Sequence, residues 1–140
     1  MRFMMIMMPK GYESAAPDAV PSLEAIAKMR VYNESLQQAG VLLGLDGLLP
    51  PSTGARVSFS EGKATVTDGP FAESKEVIGG YWIIEVRSRE EAVEWAKRAP
   101  MANNDIIEVR RFLEMIDFPE DVQKAIQGFE DLSNSAAAKG

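Results

Sequence analysis

Val77-Ile78-Gly79-Gly80-Tyr81-Trp82-Ile83-Ile84-Glu85-Val86 is the stretch on which the fold turns. Along an extended chain, alternate side chains point to opposite faces. One face then carries Ile78, Gly80, Trp82, Ile84 and Val86, and the other Val77, Gly79, Tyr81, Ile83 and Glu85. Both are mainly apolar, the mark of a strand inside a sheet that is covered on both sides. Phe3 to Met8 reads the same way.

Downstream, Ser88-Arg89-Glu90-Glu91 is a capping box. The serine accepts from the third backbone N–H, and the glutamate reaches back. The helix it opens presents Ala92, Trp95, Ala96 and Ala99 and stops before Pro100. A last strand follows from Ile106 to Leu113. A third helix has Pro119 in its first turn and shows Val122, Ala125, Ile126 and Phe129. Residues 1–132 form a single domain in this reading, and 133–140, small and polar, a flexible tail.

Upstream of the central strand, Asp68-Gly69-Pro70 is a turn cluster. Before it lies a hairpin. Ala55 to Ser60 and Lys63 to Thr67 flank the turn Glu61-Gly62, with Val57, Phe59, Ala64 and Val66 on the inward side and one wet face. Val41 to Leu49 is a strand interrupted by Asp46-Gly47, where a bulge is expected, and stopped by Pro50-Pro51. Helix one runs from about Ser22 to Ala39. Its stripe of Ala25, Met29, Tyr32, Leu36 and Ala39 repeats at steps of three and four, and Gly40 caps its end.

The order β-α-β-(β-β)-β-α-β-α implies an α+β fold, a ferredoxin-like sandwich with an extra β-hairpin. Two helices on one side of such a sheet leave the other side bare, yet its strands are apolar on both. A large bare apolar face is costly in water. The expectation is a homodimer with two sheets face to face, a dimeric α-β barrel.

Composition narrows the partners. The chain has 140 residues, 46% hydrophobic and 26% charged, with a net charge of -6. An acidic chain of pI near 4.7 is a poor match for nucleic acid or an anionic membrane. There is no cysteine and no histidine. Disulfides, thiolate or imidazole metal sites and a Ser-His-Asp triad are therefore excluded. Acid–base chemistry falls to Asp, Glu, Lys or Tyr. Gly79-Gly80 sits within a strand and lacks a phosphate-loop pattern, and the N-terminal methionines read as core. No cofactor and no metal is expected. The opening apolar run is too short for a secretory signal and no stretch reaches a membrane span, so the expected location is cytoplasmic.

Asp68-Gly69-Pro70-Phe71-Ala72-Glu73-Ser74-Lys75-Glu76, followed by Gly79-Gly80-Tyr81, resembles the DGPF signature of the YCII-related proteins. Tyr32-Asn33-Glu34 with Ala39-Gly40-Val41-Leu42-Leu43, and Glu108-Val109-Arg110, resemble that family's first helix, second strand and last strand. The resemblance covers about Arg2 to Arg111. It implies a ferredoxin-like fold that dimerises into an α-β barrel. About activity it implies little, because the family is largely uncharacterised. Some relatives are regarded as enzymes because a His and an Asp meet in a pocket, and one is associated with dehydrochlorination of an aromatic compound. DGPF members are often encoded near sigma factors. This chain has Met29 at the comparable place on helix one, so a histidine-dependent mechanism does not carry over.

Six residues are candidates for a site. Asp68 and Tyr81 are the catalytic candidates: a carboxylate at a strand end, competing with a role as turn former, and a phenol that could equally be core packing. Asp46, Lys75, Glu108 and Arg110 are the substrate-binding candidates. Asp46 breaks an apolar strand, Lys75 could hold an anion or be a solvated charge, and Glu108 and Arg110 interrupt an otherwise apolar strand face. Together they suggest a pocket for a small organic or anionic ligand, with lyase- or isomerase-type proton transfer if the protein is an enzyme, which the sequence leaves open. The alternative is a non-catalytic regulatory or protein-binding module, associated with transcription.

Overall fold

The computed structural model describes residues 1–71 and 74–139. Four strands make the main sheet: β1 (Arg2–Met8), β2 (Leu42–Gly47), β5 (Gly80–Glu85) and β6 (Ile106–Arg111). Their spatial order is β2-β5-β1-β6, and every neighbouring pair is antiparallel. The strands β3 (Ala55–Ser60) and β4 (Lys63–Asp68) form a separate two-stranded sheet. With the helices α1 (Leu23–Gln38), α2 (Arg89–Lys97) and α3 (Glu120–Lys139), the chain is an α+β protein. Without the hairpin and α3 its element order is the split β-α-β expected from the sequence.

Pleating sorts the side chains. Met5 faces Trp82 on one side and Val109 on the other, and Phe3 faces Ile84. These point to the helices. There Phe3, Met5, Trp82, Ile84 and Val86 pack with Tyr32 and Leu36 of α1 and Ala92 of α2. Met5, Leu36 and Ile84 are fully buried, and truncating any of them to alanine would cost about 2–5 kcal/mol. Met29, Trp95, Ala96 and Ala99 complete the packing, as the helical stripes require.

The helix ends follow their side chains. Ser22 caps α1 by accepting from the Ala25 amide at 3.1 Å, and Gly40 leaves the helix at φ 73°, where glycine carries no Cβ penalty. Ser88 caps α2 through the Glu91 amide at 3.1 Å. The Glu91 carboxylate reaches back one residue further than the capping box predicts, to the Arg87 N–H at 3.0 Å.

Three expectations are corrected. The bulge in β2 lies between Leu42 and Gly44, not at Asp46-Gly47; Asp46 and Gly47 pair in register with Tyr81 and Gly80. Strand β5 begins at Gly80 rather than Val77. Its pairing nonetheless continues through Gly79, whose N–H donates to the Met7 carbonyl at 2.7 Å and whose carbonyl accepts from Leu48 at 2.9 Å. The hairpin register is as expected, Val57 opposite Val66 and Phe59 opposite Ala64, but both of its faces are exposed. Phe59 is 81% exposed.

Helical backbone in α3 continues through Ser133–Lys139, the stretch expected to form a tail. The run Ala136-Ala137-Ala138 favours helix. Val122 and Ile126 of α3 are half-buried and Ala125 is exposed, while the side chain of Phe129 and residue Gly140 lie outside the described residues.

Candidate functional site

The sheet face away from α1 and α2 carries four of the six candidates. Register places Asp46, Tyr81, Ile6 and Glu108 in one row across the four strands. The next row is Gly44, Ile83, Met4 and Arg110. Cover on this side is partial. Ile6 is 8% exposed and Met4, Met8 and Ile83 are half-buried, but Ile106 at the edge is 43% exposed.

Directly opposed residues on antiparallel strands bring their side chains together. The Tyr81 hydroxyl accordingly donates to the Asp46 carboxylate at 3.2 Å. That bond, the nearby negative charge and partial desolvation raise the Tyr81 phenol above its usual range. The phenol is thus held protonated, and the carboxylate is the acceptor of the pair. Close approach of the strands beside them leaves no room at Gly80, where a Cβ would lie 2.9 Å from the Asp46 carbonyl oxygen.

Glu108 and Arg110, two apart on β6, share the same face and pair with each other at 3.9 Å. Both are well exposed, so the pair adds little stability and its charges stay available. Asp68 and Lys75 do not join the group. Asp68 ends β4 opposite Ala55 on the second sheet, and Lys75 is exposed in the following loop.

The motif around Asp68 has a clear local architecture. A Cβ at Gly69 would fall 1.8 Å from the Pro51 carbonyl oxygen, so only glycine fits. The Gly69 N–H donates to the Gly54 carbonyl at 2.9 Å, which ties the motif to the turn Pro51–Thr53. Beyond it, the Arg56 guanidinium lies 4.0 Å from the Phe71 ring centroid and donates to the Ser74 hydroxyl at 2.7 Å. Ala72 and Glu73 lie outside the described residues.

Beside the motif opens a cleft of about 300 Å³ lined by Glu13, Ser14, Ala15, Ser52, Pro70, Phe71 and Ser74. One carboxylate oxygen of Glu13 is buried without a hydrogen-bond partner among the described residues. Sequence reading passed over Glu13 and Arg56. Arg56 carries only the signal of a polar residue on an exposed strand face, and Glu13 sits in a loop without periodicity. A second, wider groove of about 540 Å³ runs between α2 and β6 over Val93, Ala96, Ile107 and Val109.

The quoted Tyr32-Asn33 pair serves the core. The Trp82 indole N–H donates to the Asn33 side-chain oxygen at 2.8 Å, and the Tyr32 hydroxyl donates to the Trp95 carbonyl at 2.7 Å. The two rings meet edge to face at 5.5 Å. Burial pushes the Tyr32 phenol up to about 12, against the opposing pull of Arg98. Among the described residues there is no group of three or more acidic side chains close enough to hold a metal ion. Nor, among them, is there a helix long and apolar enough to cross a membrane.

Comparison with known proteins adds three findings. An uncharacterized protein of Rhizobium meliloti is 38% identical over 66 residues, 47% of this chain and 53% of the relative. The chain thus spans about half the length of the curated relative it matches. Among solved structures, the 5-chloro-2-hydroxyhydroquinone dehydrochlorinase of Burkholderia phenoliruptrix, in complex with 2,5-dihydroxybenzoquinone, aligns at 16% identity and a TM-score of 0.37. That alignment covers 81% of this chain and 95% of the other. The YCII-related domain matches residues 1–116, which include β5 (Gly80–Glu85), the DGPF motif and the Asp46–Tyr81 pair. The chain belongs to the YCII-related domain family.

Proposed function

We propose that the protein binds a small organic anion against the far face of its sheet, between two copies of the chain, and moves a proton on it. The Tyr81–Asp46 hydrogen bond at 3.2 Å carries this reading. It sets a proton donor and a carboxylate acceptor side by side on a mainly apolar face, with the Arg110 cation two strands away in the adjacent row. In a lyase or isomerase step, the Asp46 carboxylate would accept a proton from carbon. The Tyr81 hydroxyl would donate to the oxygen on which charge develops, and Arg110 would hold the substrate's anionic group. No redox partner is needed. Asp68 is left as a turn residue in this scheme, and Lys75 as a solvated charge.

The second copy is supported by what the single chain leaves exposed. Ile106, Leu43 and the hairpin residues Val57, Phe59 and Val66 are all more than 40% exposed. A two-stranded hairpin is marginal in water by itself, so a surface that covers it stabilises it. The same exposed hairpin favours the second reading, a module that docks on another protein without chemistry.

Melting temperature in the presence of small aromatic and aliphatic carboxylates tests the first reading, since a ligand that binds only the folded state raises it. The expected result is a rise with wild type that is lost in both Asp46→Asn and Arg110→Ala. A rise that survives both substitutions, or none with any carboxylate at millimolar concentration, refutes it.

A further inference from the structure

The cleft beside the DGPF motif is a separate feature, and among the described side chains that line it acceptor oxygens outnumber free donors. The Ser14 hydroxyl donates to the Gly11 carbonyl at 3.2 Å, and the Ser52 hydroxyl donates to the Ala15 carbonyl, also at 3.2 Å. Both protons are committed, so what these side chains still offer is oxygen lone pairs. Glu13 adds a buried carboxylate oxygen without a partner among the described residues. Leaving such an oxygen unpaired is costly, and a charged donor compensates it best. None of the lining residues is a lysine or arginine. The Arg56 guanidinium is engaged by the Phe71 ring and by the Ser74 hydroxyl, which accepts from it and keeps its own proton.

We propose that this cleft binds a primary alkylammonium ion. Its charge complements the Glu13 carboxylate and its three N–H donors can be shared with the Ser14 and Ser52 oxygens, whereas an anion would face the Glu13 charge with the Ser74 hydroxyl as the one free side-chain donor among the described lining residues. Ala15, Pro70 and Phe71 supply apolar wall for a short alkyl stem, and a volume of about 300 Å³ accommodates a small amine but not a large one. The motif glycine holds that wall in place: Gly69 is locked against Pro51, and the two residues after it line the cleft. On this account the motif builds a binding wall, and Asp68 is the turn residue that begins it.

The test is a titration of the amide NMR spectrum with ethylammonium chloride, with potassium chloride and sodium propionate as parallel probes. Wild type should show saturable shifts clustered at Ser14, Ala15, Ser52, Phe71 and Ser74 with ethylammonium alone. Glu13→Gln should weaken binding by about tenfold or more, the value of a charge-assisted hydrogen bond over a neutral one. Ala15→Leu fills the cleft without touching the carboxylate and should abolish the shifts, which keeps the test decisive if Glu13→Gln folds poorly. Absence of saturable shifts, equal shifts with potassium or propionate, or undiminished binding in a folded variant overturns the proposal.

Discussion

The two faces of the main sheet are made by the same strands, and neighbouring residues end in opposite circumstances. Ile84 is fully buried under the helices while Ile83 is half-buried on the far side. Trp82 has its one polar atom satisfied by Asn33, whereas Tyr81 directs its hydroxyl to an exposed carboxylate. On the helix face the polar groups of Tyr32, Asn33 and Trp82 serve the packing. On the far face Asp46, Tyr81, Glu108 and Arg110 set polar groups, three of them charged, beside Ile6, Ile83 and Met4. Incomplete packing and polarity coincide there, which is why the proposed site is placed on that face.

The comparison breaks first if the two faces do not differ in energy. Ile84→Ala should lower unfolding free energy by about 2–5 kcal/mol in chemical denaturation. Ile83→Ala should cost less than half as much at a dilution where the chain is monomeric. Equal losses would mean that something already packs the far face as tightly as the helices pack theirs.

Next in size is the polar support of the helix face. Asn33→Leu leaves the Trp82 indole N–H without an acceptor and should cost about 1–3 kcal/mol. Asn33→Asp retains an acceptor oxygen and should cost less; a larger loss with Asp would show that packing, not the hydrogen bond, is what Asn33 provides.

Alkaline pH sharpens the same contrast. The Tyr32 phenol is raised from 10 to about 12 in the folded chain, so the native state favours its protonated form. Its contribution is complete below pH 10 and is lost as pH rises toward 12, because the unfolded chain releases that proton first. Unfolding should become easier across this window, and Tyr32→Phe should flatten the decline there. On the far face, Asp46→Asn removes the charge that holds the Tyr81 proton, so ultraviolet titration should show the Tyr81 phenol ionising at lower pH than in wild type. No shift would mean that the pair does not persist in solution.

Smallest is the effect of Arg110→Ala on stability. Its partner Glu108 is exposed, and the change should stay within about 0.5 kcal/mol. A larger loss in thermal denaturation would make the pair structural and weaken its place in the site.

Much of this architecture was legible from period alone. The alternation separated the two faces correctly from Gly80 to Val86 but not at Val77 and Ile78, which precede the strand, and the α1 stripe identified the buried side at Met29, Tyr32 and Leu36 while its ends Ala25 and Ala39 are exposed. Ser22, Ser88 and Gly40 marked helix ends because capping is a local matter. The DGPF motif and the Asp46 interruption were visible as departures from pattern. What could not be read depends on approach between distant segments. The pairing of Asp46 with Tyr81 follows from β2 lying beside β5, and the bulge at Leu42–Gly44 decides that register. Whether Gly69 was needed for its turn or for close contact depends on Pro51, eighteen residues earlier. The Glu13 cleft joins three loops, and no spacing announces such a meeting.

The central claim is that a second copy closes over the far face of the sheet. Sedimentation velocity on wild type and on Ile83→Glu, at one protein concentration, tests it most directly. The account predicts twice the 15.4 kDa chain mass for wild type, and a folded monomer, by circular dichroism, for Ile83→Glu. A monomeric wild type, or an Ile83→Glu variant that remains dimeric, would contradict it.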